Sequence, residues 1–303
     1  MISAYGSYTG NSTDDRAITG VGFAPDAVIV TCTSTGRDTI FKTTAMPSDN
    51  STRIRNDTAL EGNQVQSLDS DGFTLGTDTD VNETAATYEW AAFKNNGQGD
   101  FTIFNYTGNG ADDRDILGFG FQPCWAMVKG DGANTGSHRF EDAGAGNSQT
   151  FYGGGEQTDR IQGFETDGIE AGTDATVNTS ARPYYGMAFK EVAGSIISFS
   201  FVGTGLDDRS IATPNFQARF VLIKQSAGQL PYWRSEAFDA TQSVAIAEAA
   251  QTTNHIQAME ATGFQIGTGT PVNQALSTYY AFAIGPNTAI APLNNYIDAG
   301  YTV

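Results

Sequence analysis

The sequence predicts an all-β protein built from three tandem homologous β-sandwich domains of jelly-roll type. Three observations predict it. One segment occurs three times, as YTGNSTDDRAITGVGFAP from Tyr8, YTGNGADDRDILGFGFQP from Tyr106 and FVGTGLDDRSIATPNFQA from Phe201. A second segment follows each copy, as DGFTLGTDTDVN from Asp71, DGIEAGTDATVN from Asp167 and TGFQIGTGTPVN from Thr262. Finally, the composition is that of short strands and tight turns: 35 Gly in 303 residues, only 17% charged residues, and abundant Thr, Asn, Ser and Asp. Glycine supplies positive φ, and Asn and Asp tolerate it.

The register of the repeat sets the domain organisation. Arg16, Arg114 and Arg209 stand 98 and 95 residues apart, and Asn82, Asn178 and Asn273 stand 96 and 95 apart. A unit of this length is one small domain, whereas solenoid repeats run roughly 20 to 50 residues. The expected arrangement is therefore beads: domains at 1–97, 98–193 and 194–290, each with its own core, and a C-terminal tail at 291–303.

Within the second copy, residues 99–108 predict a strand entering a Gly turn, and NGADDR is that turn. CWAMVKG predicts a central strand, matched by DAVIVTC and RFVLIKQ. SHRFEDA predicts another, matched by YWRSEAF. The run IQGFETDGIEAGTD predicts a hairpin turning at Asp167-Gly168, and RPYYGMAFKE a closing strand. This gives roughly six to eight strands per unit. SVAIAEAAQ at 243–251 is the best helical candidate in the chain. Aromatic and apolar positions that recur are the expected core: Tyr88, Tyr184 and Tyr279; Phe93, Phe189 and Ile284; Phe23, Phe121 and Phe216.

Charge excludes two classes of partner. The net charge is −18, from 16 basic and 34 acidic residues. Nucleic-acid backbones and anionic membranes both require clustered Lys and Arg, so neither is expected as a partner. MISAYGSYTG has no basic start followed by an apolar run, so no signal peptide is read there. Cys32 and Cys124 occupy different places in the repeat. A framework disulfide would recur, so both are expected to be free.

The Asp-Asp-Arg turn is the most specific chemical signal: Asp14-Asp15-Arg16, Asp112-Asp113-Arg114 and Asp207-Asp208-Arg209. A calcium loop is one reading of it. The preferred reading is structural, with Asp side chains accepting turn N–H bonds and each Arg pairing with a nearby carboxylate. Asp15, Arg16, Asp113, Arg114, Asp208 and Arg209 are thus read as structural turn residues. Asn82, Asn178 and Asn273 are expected to bond the backbone of a turn. Catalysis has little support: His138 and His255 do not occupy equivalent positions, and no nucleophile elbow, zinc signature or phosphate loop is present. No cofactor or metal is expected. Trp125, Tyr152, Tyr232 and Trp233 are candidates to stack on sugars or to pack internally.

The ordered motifs YTGNGADDRDI, GFQP, MVK, DGIEAGTDATVN and YYGMAFK resemble a repeat domain of tailed-bacteriophage virion proteins, notably of marine phages, over about 290 residues. Copy three departs from that pattern at Ala218 and Thr262. The resemblance implies a non-enzymatic structural component, located in the virion and assembled in the host cytoplasm. A capsid decoration or cement protein is the first expectation, because the chain begins directly in the first repeat and shows no shaft. A tail fibre, spike or receptor-binding component is the alternative, and a carbohydrate-binding lectin the third. Expected partners are other virion proteins of capsid or tail, further copies of this chain as a homo-oligomer, and a host surface glycan.

Overall fold

A computed structural model describes residues 1–55, 58–132, 134–239 and 241–286. The chain is all-β, with six antiparallel sheets arranged in paired sets. The only helices among the described residues are the single turns Thr79–Asn82 and Thr270–Asn273. The 243–251 segment is not helical. Gln242–Ala245 is a strand there, paired to Tyr232–Ser235. Its residues 243–247 are all buried, as suits a strand covered on both faces, and nine residues are too few to nucleate a helix against that pairing. The tail 291–303 lies outside the described residues.

Each pair joins a large sheet to a three-stranded one. In the first large sheet, Thr87–Lys94 lies between Ile2–Thr9 and Ala27–Cys32, with Ile40–Thr43 and Thr52–Arg53 extending the edge. Pro183–Phe189 occupies the same place in the second sheet, and Thr278–Ile284 in the third. The three small sheets are closed by the hairpins Val65–Asp69/Gly72–Leu75, Ile161–Glu165/Gly168–Ala171 and Ile256–Glu260/Gly263–Ile266. The second hairpin turns at Thr166-Asp167, one residue before the predicted place, because Glu165 pairs with Gly168. Gly168 is needed in the strand itself: a Cβ there would lie 2.0 Å from the Ile116 carbonyl oxygen. The neighbouring strand passes too close for any side chain.

The large-sheet strands are buried on both faces, and alternation assigns the faces. In Ala27–Cys32, Val28, Val30 and Cys32 meet Ile18, Val65, Phe73 and Leu75 of the small sheet. Tyr184 and Tyr279 likewise face their own small sheets, with Ile161 and Ile169, and with Phe264 and Ile266, respectively. The opposite faces carry Ile29 and Phe93, Met127 and Phe189, Leu222 and Phe282, and these belong to one common cluster.

That common cluster joins the three sheet pairs, each of which also keeps a cluster of its own between its two sheets. Phe93 lies 5.4 Å from Phe189 and 6.0 Å from Phe220, and Phe282 lies 5.0 Å from Phe189 and 4.9 Å from Trp125 (ring centroids). Three large sheets therefore pack their second faces around one core. An isolated bead would leave these rings in water, at a cost of roughly 1.5–3 kcal/mol each. Trp125 and Trp233 are 2% and 1% exposed and belong to this core rather than to a sugar-binding surface.

The contacts also close into a ring. Gly136 N donates to Ile54 O at 2.8 Å, Glu156 N to Ser226 O at 3.0 Å, and Gln251 N to Thr33 O at 2.8 Å. These bonds join first to second, second to third and third to first. Two buried lysines reinforce the first two junctions. Lys129 Nζ donates to Thr58 O at 3.0 Å, and Lys224 Nζ to Gly154 O at 3.0 Å.

Candidate functional site

The Asp-Asp-Arg turn and the Val-Asn motif meet in space. Arg16, Arg114 and Arg209 each donate from Nη1 to the side-chain oxygen of Asn82, Asn178 and Asn273, at 3.1, 3.1 and 3.2 Å. Each guanidinium also lies over an aromatic ring of the preceding strand: Tyr8 at 5.1 Å, Tyr106 at 5.2 Å and Phe201 at 5.5 Å. The expected Arg–carboxylate pair does not form at any of the three turns. Ring faces and amide oxygens take its place, since a half-buried guanidinium is weakly hydrated and stacks well.

Each Asn is fully buried, with both its side-chain oxygen and its side-chain nitrogen bonded. Asn178 Oδ1 accepts from Asn109 N at 2.9 Å as well as from Arg114, and its Nδ2 donates to Ala111 O at 2.6 Å. Asn82 and Asn273 repeat this, each with a further bond to Gly76 O or Gly267 O at 2.9 Å. The side chain thus pins the Gly turn to the opposite end of the unit, about 65 residues away in sequence.

The two aspartates of each turn have different jobs. Asp15, Asp113 and Asp208 sit in left-handed backbone, at φ 53, 51 and 53. The preceding Asp carries the bonds: Asp112 Oδ1 accepts from Asp113 N at 3.1 Å and from Gln162 Nε2 at 3.0 Å. Gln66 and Gln257 make the same bond to Asp14 and Asp207. These glutamines escaped the sequence reading, although their spacing of 96 and 95 residues would have found them.

A second loop explains where copy three departs. Asp71 accepts from Gly20 N at 3.0 Å and Gly22 N at 2.7 Å, and Asp167 from Gly118 N at 3.2 Å and from Gly120 N. In copy three, Thr262 replaces the Asp, and Thr213 and Asn215 replace the two glycines. Acceptor and donors have changed together.

The cavity that stands apart breaks the repeat instead of obeying it. It has a volume of about 360 Å³ and is lined by Arg55, Thr135, Thr150, Tyr152, Gln157 and Arg160. Strand register identifies the counterparts. Thr150 pairs with Ser137 as Arg53 pairs with Ile40 and Ala245 with Tyr232. In the first sheet pair, Arg53 fills the space and contacts Asp38, Glu61, Asp78 and Asp80. Burial and the neighbouring Asp80 push the Asp38 carboxyl up to about 7, with Arg53 opposing. In the third pair, His255 stacks on Tyr232 at 4.1 Å and 5°. In the second pair, Thr150 and Thr135 are too short to fill it.

The open site is cationic. Arg160 is 9% exposed; its Nη2 donates to Gln157 Oε1 at 2.7 Å, and its Nε lies 3.6 Å from Asp174 Oδ2. Its Nη1, the Arg55 Nε and the Thr135 hydroxyl are buried without a hydrogen-bond partner among the described residues. Arg55 lies over the Tyr152 ring at 5.2 Å, and Tyr152 is 57% exposed. Of the four aromatics named from sequence, Tyr152 is the one that reaches solvent at this cavity.

Both cysteines are free and buried, and burial pushes the Cys124 thiol well up, away from the reactive thiolate. No cluster of three His, Cys, Asp or Glu side chains has metal-holding geometry among the described residues. No helix among them is long and apolar enough to cross a membrane.

Residues 3–102 match a domain of unknown function (DUF7483). The matched stretch begins one residue inside the strand Ile2–Thr9, runs through Thr87–Lys94 and enters the strand Phe101–Thr107. No curated protein matches the chain.

Proposed function

We propose that the chain is a non-enzymatic structural protein of a tailed-phage virion, with a capsid decoration or cement role on the particle surface. On this reading it consists of three homologous jelly-roll-like β-sandwich domains, 1–97, 98–193 and 194–290, followed by the tail 291–303. The observation that carries the proposal is the closed ring of three sheet pairs around a shared core. Such a block is rigid, and it presents three similar outer faces cyclically, which suits docking at a threefold or quasi-threefold position of a shell. The resemblance of the ordered motifs to virion repeat domains supports the same reading, and so does the use of the recurrent Asp, Arg and Asn motifs for internal bonding. The acidic surface supports protein partners over nucleic acid.

A second reading, a tail fibre or receptor-binding component, is favoured by the cavity beside exposed Tyr152. Quantitative mass spectrometry of purified particles, with a low-resolution map, separates the two. A decoration protein is expected on the order of hundreds of copies spread over the shell. A few copies confined to the tail would replace that reading with the second, and absence from the particle would overturn both.

A further inference from the structure

We infer that the cavity of the second sheet pair binds a carboxylate-bearing saccharide, a uronic acid unit, between Arg160, Arg55 and Tyr152. The inference does not rest on where in a particle the chain sits. Three observations carry it. First, the site is open in one sheet pair and filled in the other two, by Arg53 with its carboxylates and by the Tyr232–His255 stack. The replacements at the second pair are directional. Asp38, Glu61 and Asp80 give way to Thr135, Gln157 and Thr176, while Gln64 becomes Arg160. With Arg53 becoming Thr150, three carboxylates are removed while the arginine moves to position 160, at one place in a chain of net charge −18.

Second, buried donors are left over. The Arg160 Nη1 and the Thr135 hydroxyl have no partner among the described residues, and neither has the Arg55 Nε. A buried unsatisfied donor costs about 1–3 kcal/mol, and a carboxylate satisfies a guanidinium with charge-assisted bonds. Asp174 meets Arg160 only loosely, at 3.6 Å, and Asp38 acts on Arg55 without an ion pair closer than that among the described residues.

Third, size and shape exceed the needs of a simple anion. A volume of about 360 Å³ is at the small end of ligand pockets, enough for roughly one or two sugar rings. Exposed Tyr152 offers an aromatic surface for the C–H face of a sugar, and Thr150 and Gln157 offer hydroxyl and amide groups to its hydroxyls.

The test is calorimetric titration of the full chain with digalacturonate, with the neutral digalactose counterpart and with inorganic phosphate. Digalacturonate is expected to bind saturably, with the neutral disaccharide and phosphate each at least about tenfold weaker. Arg160→Gln should abolish binding. Because Arg160 is buried, Arg55→Gln and Tyr152→Ala serve as variants at the cavity mouth. Each should weaken digalacturonate by about tenfold while the melting temperature stays unchanged. No saturable binding, equal binding of the neutral sugar, or a well-folded Arg55→Gln variant that binds normally would overturn the proposal. Phosphate binding as tight as digalacturonate would reduce the site to a simple anion hole and overturn it as well.

Discussion

Arg114 and Asn178, 64 residues apart in sequence, meet at 3.1 Å between Nη1 and Oδ1. The same separation joins Arg209 to Asn273 at 3.2 Å. Two motifs that recur in the sequence are thus two halves of one contact. Asn178→Ala should leave Asn109 N and Ala111 O each short of a partner, and Arg114 Nη1 with only its bond to Thr107 O. The expected loss is about 2–4 kcal/mol, read from urea denaturation. An effect below about 1 kcal/mol would mean that water replaces the amide.

Asp113 stands at φ 51 with an exposed side chain, while Asp112 carries the turn bonds. Asp113→Gly should therefore change stability by no more than about 0.5 kcal/mol, and Asp113→Val should cost about 1–2 kcal/mol, since a β-branched residue resists left-handed backbone. Asp112→Ala should cost about 1 kcal/mol through the lost bonds from Asp113 N and Gln162. Thermal melts of the three variants check the order.

His138 is a buried imidazole in the place taken by Phe41 and Trp233 in the other large sheets. It stacks on Phe151 at 4.4 Å, and burial holds its pKa well below the usual value. The folded state thus binds fewer protons than the unfolded chain. Its contribution is fully present above the unfolded pKa of about 6.5 and is lost as pH falls below it. His138→Phe should remove part of the acid sensitivity, so its stability advantage over the parent should grow between pH 7 and pH 5. An advantage independent of pH would contradict the buried neutral imidazole.

Glu89 gives the opposite sign. Burial and Asp239 push its carboxyl up to about 8, with Arg234 opposing, and its Oε2 has no hydrogen-bond partner among the described residues. The folded state holds a proton there that the unfolded state has released. Stability from this group is present below the unfolded pKa of about 4.3 and falls as pH rises towards 8. Glu89→Gln should therefore stabilise the protein more at pH 8 than at pH 5. Equal effects at both would place an ionised, paired carboxylate at this position.

Repetition made the strands and the turn legible. Tyr88, Tyr184 and Tyr279 recur because one tyrosine serves each small sheet, and Phe93, Phe189 and Ile284 recur because one apolar group from each large sheet reaches the middle. The sequence does not distinguish these two kinds of burial, because alternation marks faces without saying what covers them. Separate beads were expected for that reason. The partner of each Arg was misread because local spacing favours an adjacent carboxylate, whereas packing brings Asn from the other end of the unit. The cavity escaped because it lies where the repeat fails, at Thr150 in place of Arg53, and a search for recurrence passes over such a position.

The most direct test of the closed ring is differential scanning calorimetry of the full chain. Three sheet pairs that share one core should melt together, in a single transition with calorimetric and van't Hoff enthalpies in a ratio of about 1. Phe189→Ala, at the centre, should lower that one transition without splitting it. Two or three separable transitions in the parent, with only one of them shifted by Phe189→Ala, would contradict the shared core and restore a chain of independent beads.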